Sequence, residues 1–178
     1  MTYQKSQIVA QPEVCSPSPV MFETAPDLTR VSQLTNQDQA ETLAFLAVRP
    51  VHTVVMTSFI NDNGIESTLN RGKFYGYRNE QGKLEGVALI GHTTLVEARS
   101  PEALKAFAYV AKTPETPIHI IMSDGTAAET FWKHYANGTR QPRLNCTELL
   151  FELNFPMLVQ SVKDWKRSAA GSRRTKSS

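Results

Sequence analysis

Between residues 40 and 47, Ala40, Leu43, Ala44, Leu46 and Ala47 recur at three- and four-residue spacing. That stripe predicts an amphipathic helix running from an Asn36 cap to Arg49. Pro50 has no N–H to donate, so it ends this helix or opens the next. Val51, Val54, Val55, Phe59 and Ile60 repeat the stripe over residues 51–62. Asn63-Gly64 then supplies a left-handed stop. Upstream, Asp27–Leu34 reads as a first strand, with weak alternation.

Beyond Asn70-Arg71-Gly72 the period shortens to two. Residues 73–78 read as a strand, and Asn79-Glu80-Gln81-Gly82 as a hairpin turn with glycine at its end. Residues 84–91 form an apolar strand, and Thr93–Ala98 a strand rich in β-branched residues. Together they predict an antiparallel meander. Ser100 is an N-cap, Pro101 suits the first helical position, and Glu102 complements the helix N-terminus, so a helix follows to about Lys112. Ile118–Met122 reads as a buried strand. Thr126–Tyr135 reads as a helix stopped by Asn137-Gly138. In Cys146–Asn154, Leu149, Phe151 and Leu153 alternate with Leu150, Glu152 and Asn154, which predicts a last strand. The order β-α-α-β-β-β-α-β-α-β implies an α/β (α+β) fold, a mixed sheet with helices on both faces.

Composition adds boundaries. Residues 1–26 carry Pro12, Pro17, Pro19 and Pro26 without a sustained period and are expected to be a disordered tail. One domain is expected over 27–158, and a basic disordered tail over 159–178. The net charge of +2 hides an asymmetry: residues 163–178 balance at +5, leaving the rest at −3. A nucleic-acid surface on the domain is therefore not suggested, and the basic tail reads as solvated rather than as a nucleic-acid or membrane contact. Cys15 and Cys146 are too few for a disulfide framework and are expected to be reduced thiols. With no run of eighteen apolar residues and no basic-then-apolar N-terminal stretch, a cytoplasmic location without a membrane partner is expected.

The element order resembles that of the GNAT superfamily of N-acetyltransferases over about residues 27–156. Asn70-Arg71-Gly72-Lys73-Phe74-Tyr75-Gly76, followed by Gly82-Lys83-Leu84-Glu85-Gly86-Val87-Ala88-Leu89-Ile90-Gly91-His92, is similar to the first half of bacterial proteins built from two tandem GNAT-like units. In those proteins, the resemblance implies, the second half carries the acetyl-CoA signature. In this fold a Gln/Arg-x-x-Gly-x-Gly/Ala loop after the fourth strand lays backbone N–H groups and a helix N-terminus against the pyrophosphate. The matching stretch here is Arg99-Ser100-Pro101-Glu102-Ala103-Leu104. Arg99 fits the first position, while Glu102 and Leu104 stand where the glycines belong. The resemblance also implies a tyrosine on the last helix that protonates the leaving thiolate. Trp132 falls there, and an indole N–H is no acid for that step; Tyr135, three residues on, is the possible substitute.

Single residues carry competing readings. His92 at a strand end is a candidate general base or a hydrogen-bonded strand-end histidine. Glu97 is a candidate base acting through water or a paired carboxylate. If acetyl-CoA binds, Leu95, Val96, Arg99 and Ser100 are the expected cofactor-binding residues, with Glu97, His92 and Tyr135 as catalytic candidates. Tyr75 and Tyr77 share a strand face and either line a cleft or pack on a helix. His119 and His134 lack metal spacing, so no metal site is expected. Asn61-Asp62-Asn63-Gly64 resembles the start of a calcium loop, but Gly72 occupies the twelfth position where a glutamate is needed. Arg71-Gly72 beside Phe74 and Tyr75 is either an anion site or a structural turn.

The function these features point to is a GNAT-like domain, degenerate and non-catalytic on its own, with no cofactor expected. It would act as a ligand-binding module or pair with a second GNAT domain or a second copy of itself. The alternatives are an active acetyl-CoA-dependent N-acetyltransferase of a small amine or peptide amine, and one unit of a longer two-unit protein.

Overall fold

A computed structural model describes residues 25–113 and 118–152 of the chain. The expected meander is present. β2 (Gly72–Arg78), β3 (Leu84–Gly91) and β4 (Thr93–Ala98) are antiparallel neighbours, with Phe74 opposite Leu89 and Ala88 opposite Val96. Asn79 builds the β2–β3 turn: its Oδ1 accepts from the N–H groups of Gln81 and Lys83, both at 3.0 Å, and Gly82 takes φ 76°. β1 (Val31–Gln33) adds antiparallel to β2, and β5 (Ile120–Met122) adds parallel to β4. The five strands lie in the order β1-β2-β3-β4-β5. The result is a mixed sheet in an α/β arrangement.

Two apolar layers bury the two faces of this sheet. On one face Phe74, Leu84, Val87, Leu89 and Leu95 meet Phe45 and Leu46 of α1 (Gln39–Leu46) and Met56 and Ile60 of α2 (Val54–Asn63). On the other face Tyr77, Ala88 and Val96 meet Leu104 and Phe107 of α3 (Pro101–Val110) and Phe131 of α4 (Gly125–Tyr135). Strict alternation would put Leu84 on the face of Ala88. The pairing slips between Tyr77 and Arg78, however, so that Gly86 faces Tyr77 while Leu84 faces Arg78. The extra residue, Glu85, flips the phase and returns Leu84 to the α1–α2 side. Gly86 is needed where α3 lies closest: a Cβ there would stand 2.8 Å from the Phe107 ring. Tyr75 and Tyr77 both pack on the α3–α4 face, and Tyr77 meets Phe107 edge-on at 6.5 Å, so their role is packing.

Several boundaries differ from the sequence expectation for identifiable reasons. The first strand is shorter than Asp27–Leu34, because Asp27 Oδ1 accepts from the Thr29 N–H at 3.1 Å and closes a 3-10 turn over Leu28–Arg30. Asn36 does not cap α1. A reciprocal Thr35–Asp38 capping box starts that turn, and the Asn36 side chain accepts instead from the N–H groups of Ile65 and Glu66. The α1 helix stops at Leu46 rather than Arg49. Asn63-Gly64 ends α2 with Gly64 at φ 77°, which makes the calcium-like stretch a helix terminus. Arg71-Gly72 is a turn, with Arg71 left-handed at φ 50°.

Two strand expectations need correction. β5 is not buried: Ile120 is 50 % and Met122 41 % exposed. The α1 helix packs over β3, in the middle of the sheet, two strands in from this edge. Residues 146–152 form no strand and are exposed: they pair with none of the five strands of the described sheet, and an unpaired segment is not a strand. Leu153 and Asn154, and the tails expected over 1–26 and 159–178 apart from residues 25 and 26, lie outside the described residues. Among the described residues no helix is long and apolar enough to cross a membrane.

Candidate functional site

Parallel neighbours in an α/β sheet place their carboxyl ends side by side, and the crevice beyond those ends is where ligands bind. In this chain β4 and β5 are that pair, with Thr93 opposite Ile120 and Leu95 opposite Met122. Past Met122 the chain stays tied to β4, because Ser123 Oγ donates to the Val96 carbonyl at 2.7 Å. Asp124 follows as the N-cap of α4, its Oδ1 accepting from the Ala127 N–H at 2.9 Å.

A cation closes the same point from the other side. Arg49 lies just beyond α1, in a turn held by Thr53, whose Oγ1 donates to the carbonyls of Leu46 (2.8 Å) and Arg49 (3.0 Å). Arg49 Nη1 reaches Glu97 Oε1 at 3.1 Å, Glu97 Oε2 at 3.4 Å and Asp124 Oδ2 at 3.0 Å. Glu97 is 6 % exposed, so its carboxylate depends on this guanidinium for compensation. Burial pushes the Asp124 carboxyl up, but the Ala127 N–H, the Arg49 guanidinium and the charge of His52 outweigh it and hold it below the usual carboxylate range. Arg49 thus links the Glu97 side chain to the Asp124 cap of α4, beside the Ser123–Val96 hydrogen bond.

The N-terminus of α3 has little to offer an anion. Ser100 Oγ accepts from the Ala103 N–H at 3.3 Å, and the Ser100 carbonyl accepts from the Leu104 N–H at 3.4 Å. Pro101 carries no N–H. That leaves the amide of Glu102, beside its own carboxylate. Arg99 is directed elsewhere: its guanidinium lies 4.3 Å from the Phe45 ring centroid and donates to the Phe45 carbonyl at 3.4 Å. Phe45 belongs to the α1–α2 layer, on the opposite face of the sheet from α3. A diphosphate needs several convergent donors and close backbone approach. The residues of this loop do not fit it.

The catalytic candidates do not form one constellation. His92 joins β3 to β4, and its carbonyl accepts from the N–H groups of His119 (3.0 Å) and Ile120 (3.3 Å). Its ring stacks on His119 with centroids 4.3 Å apart. Glu97 lies five residues further along, roughly 16 Å away at strand spacing. Tyr135 sits in the last turn of α4, about 16 Å along the helix from Asp124. It stacks on Phe131 at 6.2 Å and meets Trp132 at 5.9 Å, while Trp132 Nε1 donates to the Arg140 carbonyl at 3.1 Å. Leu95 and Val96 are both core residues, one in each layer. Among the described residues no group of three or more His, Cys, Asp or Glu side chains is arranged to hold a metal ion.

Arg49 and Asp124 are the site residues that sequence reasoning missed. The Asp124 cap was open to detection, since an aspartate directly precedes Gly125 and Thr126 at a predicted helix start. Arg49 carried no local signal, because its partners lie 48 and 75 residues away. Comparison with protein-family models, with curated proteins and with solved structures gave no match to this chain.

Proposed function

We propose that this chain is a GNAT-like domain that does not hold acetyl-CoA and works by pairing with another domain or by binding a ligand other than the coenzyme. The observation that carries this reading is the sealed junction of β4 and β5. Ser123 bonds Val96, and Arg49 spans Glu97 and Asp124, across the opening where a splayed sheet would receive a pantetheine arm. The loop at Ser100–Leu104 supports it independently, since its donors are capped, absent or guarded by a carboxylate. Glu97 supports it again: a base must be free to accept a proton, and this carboxylate is occupied by a guanidinium. The resemblance in element order and in the Asn70–His92 stretch is what attaches the GNAT name to the fold.

Incubation of the full chain with acetyl-CoA and a panel of small amines and peptides, read by thiol release, is expected to show no rate above the enzyme-free background. Acetyl transfer that disappears in a Glu97→Gln or Tyr135→Phe variant would overturn the reading in favour of an active transferase.

A further inference from the structure

Asn-Gly occurs twice in this chain, at the end of α2 (Asn63-Gly64) and just past the end of α4 (Asn137-Gly138). An asparagine followed by glycine is prone to lose its side-chain amide, because the unhindered glycine nitrogen can reach the asparagine Cγ. The two pairs are held differently. At the first, Asn63 Nδ2 donates to Asn70 Oδ1 at 3.0 Å, and the Gly64 N–H donates to the Ile60 carbonyl at 2.9 Å. The next two N–H groups, of Ile65 and Glu66, donate to Asn36 Oδ1, and Ile65 is buried, so the chain is anchored beyond the pair. At the second, Asn137 and Gly138 are both exposed, and a Cβ on Gly138 would meet nothing within 4 Å. The Gly138 N–H reaches the Lys133 carbonyl at a longer 3.2 Å, and helix ends fray.

At Asn137 a cation is aimed at the atom where charge would develop. Lys112 Nζ donates to Asn137 Oδ1, and the Tyr109 ring, 4.3 Å away at its centroid, holds the ammonium in place. An ammonium has donors only, so the oxygen of the amide faces it and not the nitrogen. Asn137 also lines the cleft between α3 and α4 with Lys133. We propose that Asn137 is a site of spontaneous deamidation, and that Lys112 promotes it by stabilising the oxyanion that forms on Oδ1. Hydroxide takes the proton of the Gly138 amide. The nitrogen bonds to Cγ, and the electron pair of the carbonyl moves onto Oδ1 beside Lys112. As that pair returns, the Cγ–Nδ2 bond breaks, and Nδ2 takes a proton from water and leaves as ammonia. Water then opens the succinimide ring at either carbonyl, which gives aspartate or isoaspartate. The net change is amide plus water to carboxylic acid plus ammonia. The product sets a carboxylate beside Lys112 and, in the isoaspartate form, adds a methylene to the backbone where the chain leaves α4. None of this depends on whether the chain holds coenzyme A.

The test incubates the full chain at mildly alkaline pH in heavy-oxygen water, digests it in ordinary water and maps the peptides by mass spectrometry. Only carboxylates made in the folded chain then carry the label. Labelling at position 137 is expected to run about tenfold or more faster than at position 63. Lys112→Met is expected to slow position 137 about fivefold, against the roughly hundredfold of a buried oxyanion donor, because this one meets solvent. Position 63 should keep its rate in that variant, and Lys112→Arg, which retains a donor cation, should restore most of the rate at 137. Gly138→Ala crowds the attacking nitrogen and is expected to slow position 137 about tenfold. Position 63 is the internal reference, since a variant that merely loosened the fold would speed both. Equal rates at the two positions, or no label at 137, would overturn the assignment of Asn137. A rate at 137 that is unchanged or raised in Lys112→Met would overturn the role of Lys112.

Discussion

Replacing Gly91 by alanine is expected to destabilise the domain more than any other single change at a glycine of the sheet. Gly91 pairs with Gly72 at the end of the β2–β3 ladder, where the two backbones touch. A Cβ on Gly91 would lie 2.2 Å from the Arg71 carbonyl oxygen and 2.6 Å from Gly72 Cα. Neither neighbour is a side chain that can rotate away. The Arg71 carbonyl is further fixed by the N–H of His92 at 3.2 Å, and Arg71 itself is left-handed. Relief therefore requires opening the ladder, at a cost of about 3 kcal/mol or more. For a domain of this size that lowers the melting temperature by about 10 °C or more. Gly82→Ala is the control. Its φ of 76° penalises a side chain, but nothing lies within 4 Å of the added atom, so a loss of about 1 kcal/mol is expected. Chemical denaturation of the two variants side by side checks the difference; equal losses would show that the crowding at Gly72 and Gly91 is not the cause.

The second large effect is expected from Arg49→Ala. The change strands the carboxylate of Glu97, whose side chain is 8 % exposed, next to Asp124. Breaking a fully buried pair costs about 3–5 kcal/mol, and the Arg49 side chain is 37 % exposed, so solvent screening reduces the expected loss to about 2 kcal/mol. Protonation adds a sign to this prediction. The Asp124 carboxyl is held below its ordinary range, partly by Arg49. A carboxyl depressed in the folded state contributes stability at pH values above its unfolded pKa of about 3.9 and loses it as pH falls through the folded value. The stability gap between the native chain and Arg49→Ala is therefore expected to be widest near neutrality and to narrow below about pH 4. Urea unfolding at several pH values measures it. A gap that widens on acidification would mean that Arg49 does not stabilise these carboxylates.

The same residues explain how far the sequence was legible. The meander, α3 and α4 were readable because their signals are local. Asn79 and Gly82 sit within one turn, Ser100-Pro101-Glu102 within another, and Asn137-Gly138 ends α4 with φ values of 51° and 66°. The ends of β1 and α1 were less so, because Asp27 and the Thr35–Asp38 pair compete for the backbone with hydrogen bonds that periodicity does not register. The segment at 146–152 shows a different limit: alternation reports what a segment is able to form, and a strand also needs a neighbour. At the site, the lack of glycine in the Ser100–Leu104 loop is visible from residue identity alone. The sealing of the β4–β5 junction is not, because it depends on Arg49 crossing from beyond α1 to residues 48 and 75 positions later. That long-range ion pair is what fixes the Glu97 carboxylate beside Arg49.

A calorimetric melt of the full chain with coenzyme A tests the proposal that the chain offers this cofactor no seat. A ligand held at a hundred times its dissociation constant stabilises the native state by about 2.7 kcal/mol, a shift that calorimetry resolves easily. The melting temperature is predicted to stay unchanged up to millimolar coenzyme A. A rise that scales with ligand concentration and is abolished by Ser100→Tyr, a substitution that crowds the α3 N-terminus, would contradict it.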